Sequence, residues 1–287
     1  MSRHAGVVGS PIAHSMSPVL HRAAYDALGL RDWTFYKDQV GAGDLAAYVA
    51  RLPDDWVGLA VTMPLKEEAL ALGSVVGEEA ALVGGANTLT RTDDGWRADN
   101  TDVHGLQQAL QDAGLRPTPS AVVVGSGATA RSALLALSRF GVREVCLVVR
   151  DRARPGAVAL GERLGMAVTT SRYADGPAAW GAPGVVLSTV PSGATPAVDG
   201  WALPVGAVVF DVVYAGWPTP WAMHWRVGDV RVTRGDGMLL HQAVQQVRLM
   251  TGREAPVEAM SAALAASLGA ASPGAASLGS TSPGSAR

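Results

Sequence analysis

Lysine is scarce in this 287-residue chain: only Lys37 and Lys66 occur, beside two asparagines, Asn87 and Asn100, and one isoleucine, Ile12. Arginine carries the rest of the positive side-chain charge. A lysine kept at position 66 therefore suggests a task that arginine cannot perform. A guanidinium stays protonated, whereas a buried ammonium can pass a proton to a developing oxyanion. Lys66 follows Val61-Thr62-Met63-Pro64-Leu65, near a strand C-terminal end, where α/β proteins open their ligand crevices. The structural alternative is a surface ion pair with Glu67 or Glu68. Asp102 opens the run Asp102-Val103-His104-Gly105 and is expected to cap a helix, which is compatible with a catalytic role. Ser15 and Ser17 stand two apart before Pro18. Ser17 as N-cap with proline at N1 explains the pair structurally, and the same hydroxyls and helix amides would hold a carboxylate.

A second constellation is Val122-Val123-Val124-Gly125-Ser126-Gly127-Ala128-Thr129-Ala130-Arg131. It reads as buried strand, tight turn and helix start. The first glycine allows the turn, and the second lets a pyrophosphate approach the helix N-terminus. Ala130 replaces a third glycine at the helix–strand contact. Placed inside a βαβ unit, the segment predicts a bound dinucleotide. The next strand ends at Val149 and is followed by Arg150-Asp151-Arg152-Ala153-Arg154. Arginines at this point fit the 2′-phosphate of NADP. Asp151 is able to serve the ribose hydroxyls instead, which keeps NAD open.

These residues need elements to hold them. Alternating strand and helix signals predict an α/β protein with parallel sheets. Strands are expected near Ala5–Val8, Trp33–Val40, Val57–Val61, Val122–Val124, Glu144–Val149, Ala167–Thr170, Val185–Thr189 and Ala207–Asp211. A hairpin is expected from Asn87–Arg91 to Trp96–Ala98. Helices should follow the Ser15–Pro18 loop, run over Asp44–Leu52, His104–Ala113 and Met238–Met250, and restart weakly at Val257. The linker Leu115–Ser120 announces a second unit. The stretch 269–287 is low in complexity and is expected to be a disordered tail. Hydrophobic residues make up 48% and charged residues 17%, with a net charge of −2, so neither global disorder nor the basic footprint of a nucleic-acid binder is expected. One cysteine, Cys146, excludes an internal disulfide framework and is expected in the core. No run reaches the length of a membrane span, and the apolar part of the N-terminus is too short for a signal peptide. A soluble, cytoplasmic protein is the expectation. No histidine pair has metal-ligand spacing, so no metal is expected. Trp217, Trp221 and Trp225, four apart, read as a packing stripe that could also line the cleft.

Several segments together resemble the shikimate dehydrogenases over roughly residues 5 to 262. They are Pro11-Ile12-Ala13-His14-Ser15-Met16-Ser17-Pro18, Val61-Thr62-Met63-Pro64-Leu65-Lys66-Glu67, Gly85-Ala86-Asn87-Thr88 and Asp99-Asn100-Thr101-Asp102. The glycine loop, Asp211-Val212-Val213-Tyr214 and Gly237-Met238-Leu239-Leu240-His241-Gln242 complete the set. The resemblance implies an α/β substrate-binding domain built from 1–101 and 237–268. It further implies a Rossmann-type NADP domain over 102–236, with the active site in the cleft between them. It implies reversible reduction of 3-dehydroshikimate to shikimate in chorismate and aromatic amino-acid biosynthesis, by a monomer or homodimer with no nucleic-acid or membrane partner. Lys66 and Asp102 would be catalytic, Asp102 pairing with Lys66. Ser15 and Ser17 would take the substrate carboxylate. Thr62, Asn87 and Gln242 are neutral groups suited to a polyol, and Tyr214 would lie near substrate. Gly125, Ser126, Gly127, Ala128, Thr129, Ala130, Arg131, Arg150, Arg154, Thr189 and Gly237 would meet the cofactor. The chain departs from the family pattern at Ala60, usually asparagine, at Val149-Arg150-Asp151 and at Ser188-Thr189-Val190. Asp151, Ala60 and Val190 keep open a quinate- or NAD-using relative; a non-catalytic dinucleotide-binding regulator is the other alternative, and Lys66, Asp102, Asn87 and Gln242 together argue against it.

Overall fold

Strand periodicity and helix stops sort the chain into two six-stranded sheets in a computed structural model that describes residues 2–225 and 229–270. The first half runs β1 (Arg3–Gly9), α1 (Ser17–Ala27), β2 (Trp33–Gln39), α2 (Leu45–Val49), β3 (Trp56–Val61), α3 (Lys66–Leu72), β4 (Val75–Val76), α4 (Glu78–Val83), β5 (Thr88–Thr92) and β6 (Gly95–Asp99). Its sheet has the order β2-β1-β3-β5-β6-β4, with β5 antiparallel to β3 and β6. Helix α5 (Asp102–Asp112) leads to the second sheet. That half contains β7 (Ser120–Val124), α6 (Ala128–Ser138), β8 (Glu144–Val149), α7 (Pro155–Arg163), β9 (Ala167–Arg172), β10 (Val185–Ser188), β11 (Val208–Asp211), α8 (Pro220–His224) and β12 (Arg231–Arg234). The order β12-β11-β10-β7-β8-β9 is all parallel and reverses direction between β7 and β10, the doubly wound pattern. Helices α9 (Asp236–Thr251) and α10 (Val257–Ala270) then return to pack with α1.

Why β7 is an unbroken apolar run follows from its two covered faces. Ala121 and Val123 point into a core shared with α5 and α6, while Val122 and Val124 point into a second core. Trp180, Trp201, Trp221 and Trp225 fill that second core, and Cys146 lies among them. Trp221 and Trp225 of the expected stripe thus pack rather than line the cleft, while Trp217 is half-buried outside that core; only Trp221 lies inside α8. Two strands have no clear signal in the sequence. β4 is a pair of exposed valines, and β12 is an Arg-Val-Thr-Arg edge strand paired only with β11. Helix α10 runs on through Gly269 to Ala270, so the expected tail begins no earlier than 271, and 271–287 lies outside the described residues. Helix α5 packs on both α6 and α9, and its Val103, Leu106 and Leu110 join the core of the second sheet. Among the described residues no helix is long and apolar enough to cross a membrane.

Candidate active site

A cleft of about 550 Å³ opens between the sheets. On the first-sheet side, β3 ends at Val61, and the turn through Thr62 and the cis Met63–Pro64 bond delivers Lys66 as the first residue of α3. Lys66 Nζ donates to Asp102 Oδ2 at 2.5 Å, with the two side chains 12% and 6% exposed. The surface pair with Glu67 or Glu68 is not formed. Asn87, just before β5, donates Nδ2 to Asp102 Oδ1 at 2.8 Å and to Thr101 Oγ1 at 2.9 Å, and its Oδ1 accepts from Thr101 N at 2.8 Å. Gln242 of α9 sets its Oε1 3.3 Å from Asn87 Nδ2. Both oxygens of the buried carboxylate are therefore occupied by donors, which fixes its plane and the direction of the ammonium.

Ser15, Ser17, Thr62 and Tyr214 line the same cleft. Helix α1 begins one residue earlier than the capping expectation: Met16 holds the cap position and Ser17 is the first helical residue. Ser15 Oγ accepts from Ser17 N at 3.4 Å, a long contact in place of a Ser17 cap. Burial raises the Tyr214 phenol above its ordinary value, opposed by a hydrogen bond with the Met16 backbone. That contact brings the end of β11 against the serine pair.

On the opposite side, Gly125 has φ 106°, a region that L side chains rarely adopt, and a Cβ there would meet Thr189 Oγ1 at 2.6 Å. Glycine is required because the loops after β7 and β10 meet at the point where strand order reverses. Thr189 Oγ1 donates to Val124 O at 2.7 Å. Gly127 leads into α6, and a Cβ on it would meet nothing within 4 Å. The helix start, Ala128, Thr129 and Ala130, thus has open space in front of amides that lack intrahelical partners. Ser126 Oγ accepts from Arg154 N at 3.0 Å, which joins the glycine loop to the arginine loop. Arg150, Arg152 and Arg154 are exposed and enter no ion pair among the described residues. An open cradle, a helix N-terminus and unneutralised guanidiniums together fit a phosphorylated dinucleotide. Of this set, Thr129 and Thr189 also line the cleft.

Two expected cofactor residues lie elsewhere. The Arg131 guanidinium is buried against Val83 O, Gly84 O and Glu67, because its position on α6 faces α3 and α4 rather than the loop opening. Gly237 sits inside α9 facing Ala109 of α5, and it lines a smaller cavity of about 280 Å³ with Asp112 and His241. Gly235, before α9, is the glycine at the cleft. His14 lines the cleft, whereas His241 Nε2 lies 2.8 Å from Asp112 Oδ2.

Two further residues were missed as site components. Gln246, one turn beyond Gln242, is 1% exposed and lines the cleft. It donates Nε2 to Asn87 O at 3.1 Å and Thr88 Oγ1 at 3.2 Å, and its Oε1 lies 3.3 Å from His21 Nε2. The available signal was the four-residue spacing from Gln242. Asn100, rare in the chain and part of a family segment but given no role of its own, caps α5 in place of Asp102. Its Oδ1 accepts from Asp102 N at 3.0 Å and Val103 N at 3.3 Å, and its Nδ2 donates to Gly85 O at 2.7 Å.

A family model described as the shikimate dehydrogenase substrate binding domain matches residues 7–89, and one described as the shikimate 5′-dehydrogenase C-terminal domain matches 235–265. The chain is 35% identical over 275 residues to a shikimate dehydrogenase (NADP(+)) of Anaeromyxobacter sp. (strain Fw109-5), covering 91% of this chain and 95% of that protein. The crystal structure of Mycobacterium tuberculosis shikimate dehydrogenase is 44% identical with a TM-score of 0.80, over 92% of this chain and 99% of that one. The Thermus thermophilus shikimate 5-dehydrogenase, solved in complex with NADP(H) and shikimate, is 26% identical with a TM-score of 0.79, over 92% and 99%.

Proposed function

Because this chain belongs to the shikimate dehydrogenase family, we propose that it catalyses the reversible, NADP-dependent reduction of 3-dehydroshikimate to shikimate. The observation that carries this reading is the buried Lys66–Asp102 pair opening on the same cleft as the loops at Thr129 and Thr189. Gly125 to Ala130 would hold the diphosphate of NADP, Arg150 and Arg154 its 2′-phosphate, and Thr189 the facing side. When bound, NADP supplies the hydride and takes it back in the reverse direction.

The chain's own residues manage the proton and the geometry. Lys66 Nζ delivers a proton to the ketone oxygen as it becomes a hydroxyl, and recovers it in the oxidation of shikimate. Asp102 Oδ2 holds Nζ on its course, and Asn87 holds Asp102 through Oδ1, so the donor is aimed before substrate arrives. Asp102 also accepts from a substrate hydroxyl. Ser15 and Ser17 bind the carboxylate, and Thr62, Asn87 and Gln242 bind the ring hydroxyls. Tyr214 covers the substrate from the second sheet, where closure of the cleft excludes water. In this reading 1–101 with 237–268 form the substrate domain and 102–236 the dinucleotide domain. The enzyme works in the cytoplasm, as a monomer or homodimer, in chorismate and aromatic amino-acid biosynthesis.

The test is the absorbance of reduced nicotinamide with shikimate or quinate, each paired with NADP⁺ or NAD⁺. Turnover chiefly with shikimate and NADP⁺ is expected. Turnover chiefly with NAD⁺ would assign the cofactor loop to Asp151, and turnover chiefly with quinate would change the substrate. Folded protein that binds a dinucleotide but turns over no pair overturns the substrate.

A further inference from the structure

Residues 83–86 form a short strap between the two catalytic positions. Ala86 N donates to Lys66 O at 2.8 Å, and Gly85 O accepts from Asn100 Nδ2, the side chain that caps the helix opening at Asp102. Lys66 and Asp102 therefore hang from opposite sides of one piece of backbone. Helix α6 reaches this strap through Arg131, and the next side chain, Ser132, reaches Asn100, which is bonded to the strap. Arg131 Nε donates to Val83 O at 2.5 Å, and its Nη2 donates to Gly84 O at 3.0 Å and Glu67 Oε1 at 2.8 Å. Ser132 Oγ donates to Asn100 Oδ1 at 3.4 Å. The carbonyls of Val83 and Gly84 are the unpaired end of α4, where a cation is favourable and few other donors are at hand. Glu67, next to Lys66 in sequence, is the single carboxylate paired with this guanidinium among the described ion pairs.

Resting on the reading of the cleft given above, we infer that Arg131 is a positioning residue: it clips the cofactor-binding helix α6 to the strap that carries Lys66 and Asp102. The helix whose N-terminus takes the diphosphate and the groups that move the proton then share one rigid joint. Their mutual distance is set before either ligand binds. Arginine suits this position because one planar fork reaches three acceptors at once; a lysine ammonium does not.

The experiment uses Arg131→Ala in the full chain with three readouts. The turnover number for shikimate with NADP⁺ is expected to fall about ten- to a hundredfold, as for small misplacements of reacting groups. The dissociation constant of NADPH, read by its fluorescence, is expected to stay within about threefold. The third readout needs no ligand. The protein is acetylated with an N-hydroxysuccinimide ester, and mass spectrometry gives the Lys66/Lys37 labelling ratio. The exposed Lys37, which donates to Ala13 O, is the internal reference. The ratio is expected to rise about fivefold or more as the local joint opens. A uniformly loosened fold would also raise the ratio, because Lys37 is already exposed, but it would expose the buried Cys146 as well, so a rise matched by faster alkylation of Cys146 overturns the inference. An unchanged ratio overturns the inference, and so does a loss of NADPH affinity of about tenfold or more with turnover intact, which would return Arg131 to the cofactor. Failure of the shikimate reading alone would leave the labelling result standing. If Arg131→Ala does not fold, Arg131→Lys decides by the same labelling ratio. Its single ammonium keeps the charge near Glu67 and loses the fork, so a smaller rise supports the joint and no rise overturns it.

Discussion

The Lys66 corner and the arginine loop, which serve one ligand pair in the proposed reading, are built in opposite ways. Around Lys66, Asp102 and Asn87 each polar group is buried and already holds a protein partner. At Arg150, Arg152 and Arg154 the charges are exposed and unpaired among the described residues. A proton has to travel a short, directed path, so the groups that move it are best fixed in advance. A phosphate brings its own charge and can gather mobile arginines when it arrives. In the proposed reading the chemistry thus sits where side chains are prearranged, and the phosphate is left to exposed guanidiniums. Substitutions in the two regions should fail in different ways.

The largest effect is expected at Lys66. Lys66→Ala removes the proton donor and should lower the turnover number about 10²–10⁴-fold, with shikimate binding still measurable by calorimetry. Turnover within about tenfold of wild type would end the contrast, because the corner would then be structural.

Next comes the layer behind the corner. His21 is fully buried, stacked on Phe35 at 4.0 Å and hydrogen-bonded to Gln246, which in turn supports Asn87. Burial pushes the His21 imidazole down to about 4, opposed by the Gln246 bond. The folded state therefore keeps His21 neutral where the unfolded chain, titrating near 6.5, takes up a proton. Its stability contribution is present above about pH 6.5 and is lost as pH falls toward 4, by up to about 3 kcal/mol. Urea unfolding midpoints should fall across this window in the wild type and fall less in His21→Gln. Equal slopes for both would mean that the backing of the corner titrates through another group.

In the exposed loop, Arg150→Ala should raise the Michaelis constant for NADP⁺ about ten- to a hundredfold, the worth of one charge-assisted phosphate contact. Turnover at saturation and the Michaelis constant for NAD⁺ should hardly change. Equal losses with both cofactors would show that Arg150 supports the loop rather than reads the phosphate.

How much of this was visible beforehand differs between the regions for a physical reason. Lys66 and Asn87 stand out by residue type in a chain poor in lysine and asparagine, whereas the pairing of Asp102 with Lys66 came from the family resemblance. Gly125 stands out by its φ, and the apolar run before it by burial on two faces. For Arg131, a one-dimensional motif shows adjacency to the glycine loop and hides which helix face turns toward α4. Gly237 likewise lies a single helical step from the cleft, facing Ala109. Gln246 and Asn100 act through backbone and side-chain partners distant in sequence, such as Thr88 and Gly85. No local pattern encodes those pairings. The edge strands β4 and β12 are held by a neighbour's backbone rather than by their own composition.

The smallest effect sharpens the contrast most, because Ser126 joins the exposed arginine loop to a buried one. It is buried in the glycine loop, yet its Oγ accepts from the backbone of Arg154 in the exposed loop. Ser126→Ala leaves that amide without its partner and frees the arginine loop from the diphosphate cradle. A neutral hydrogen bond of this kind is worth about 0.5–1.5 kcal/mol, so the Michaelis constant for NADP⁺ should rise about two- to tenfold. If the serine acts by placing the arginines, NAD⁺, which lacks the 2′-phosphate, should be less affected. If its hydroxyl instead donates to the diphosphate common to both cofactors, NADP⁺ and NAD⁺ should weaken in parallel. Parallel weakening would show that the arginine loop finds its phosphate unaided, and the division between a prearranged corner and a gathering loop would then extend to the backbone that joins them.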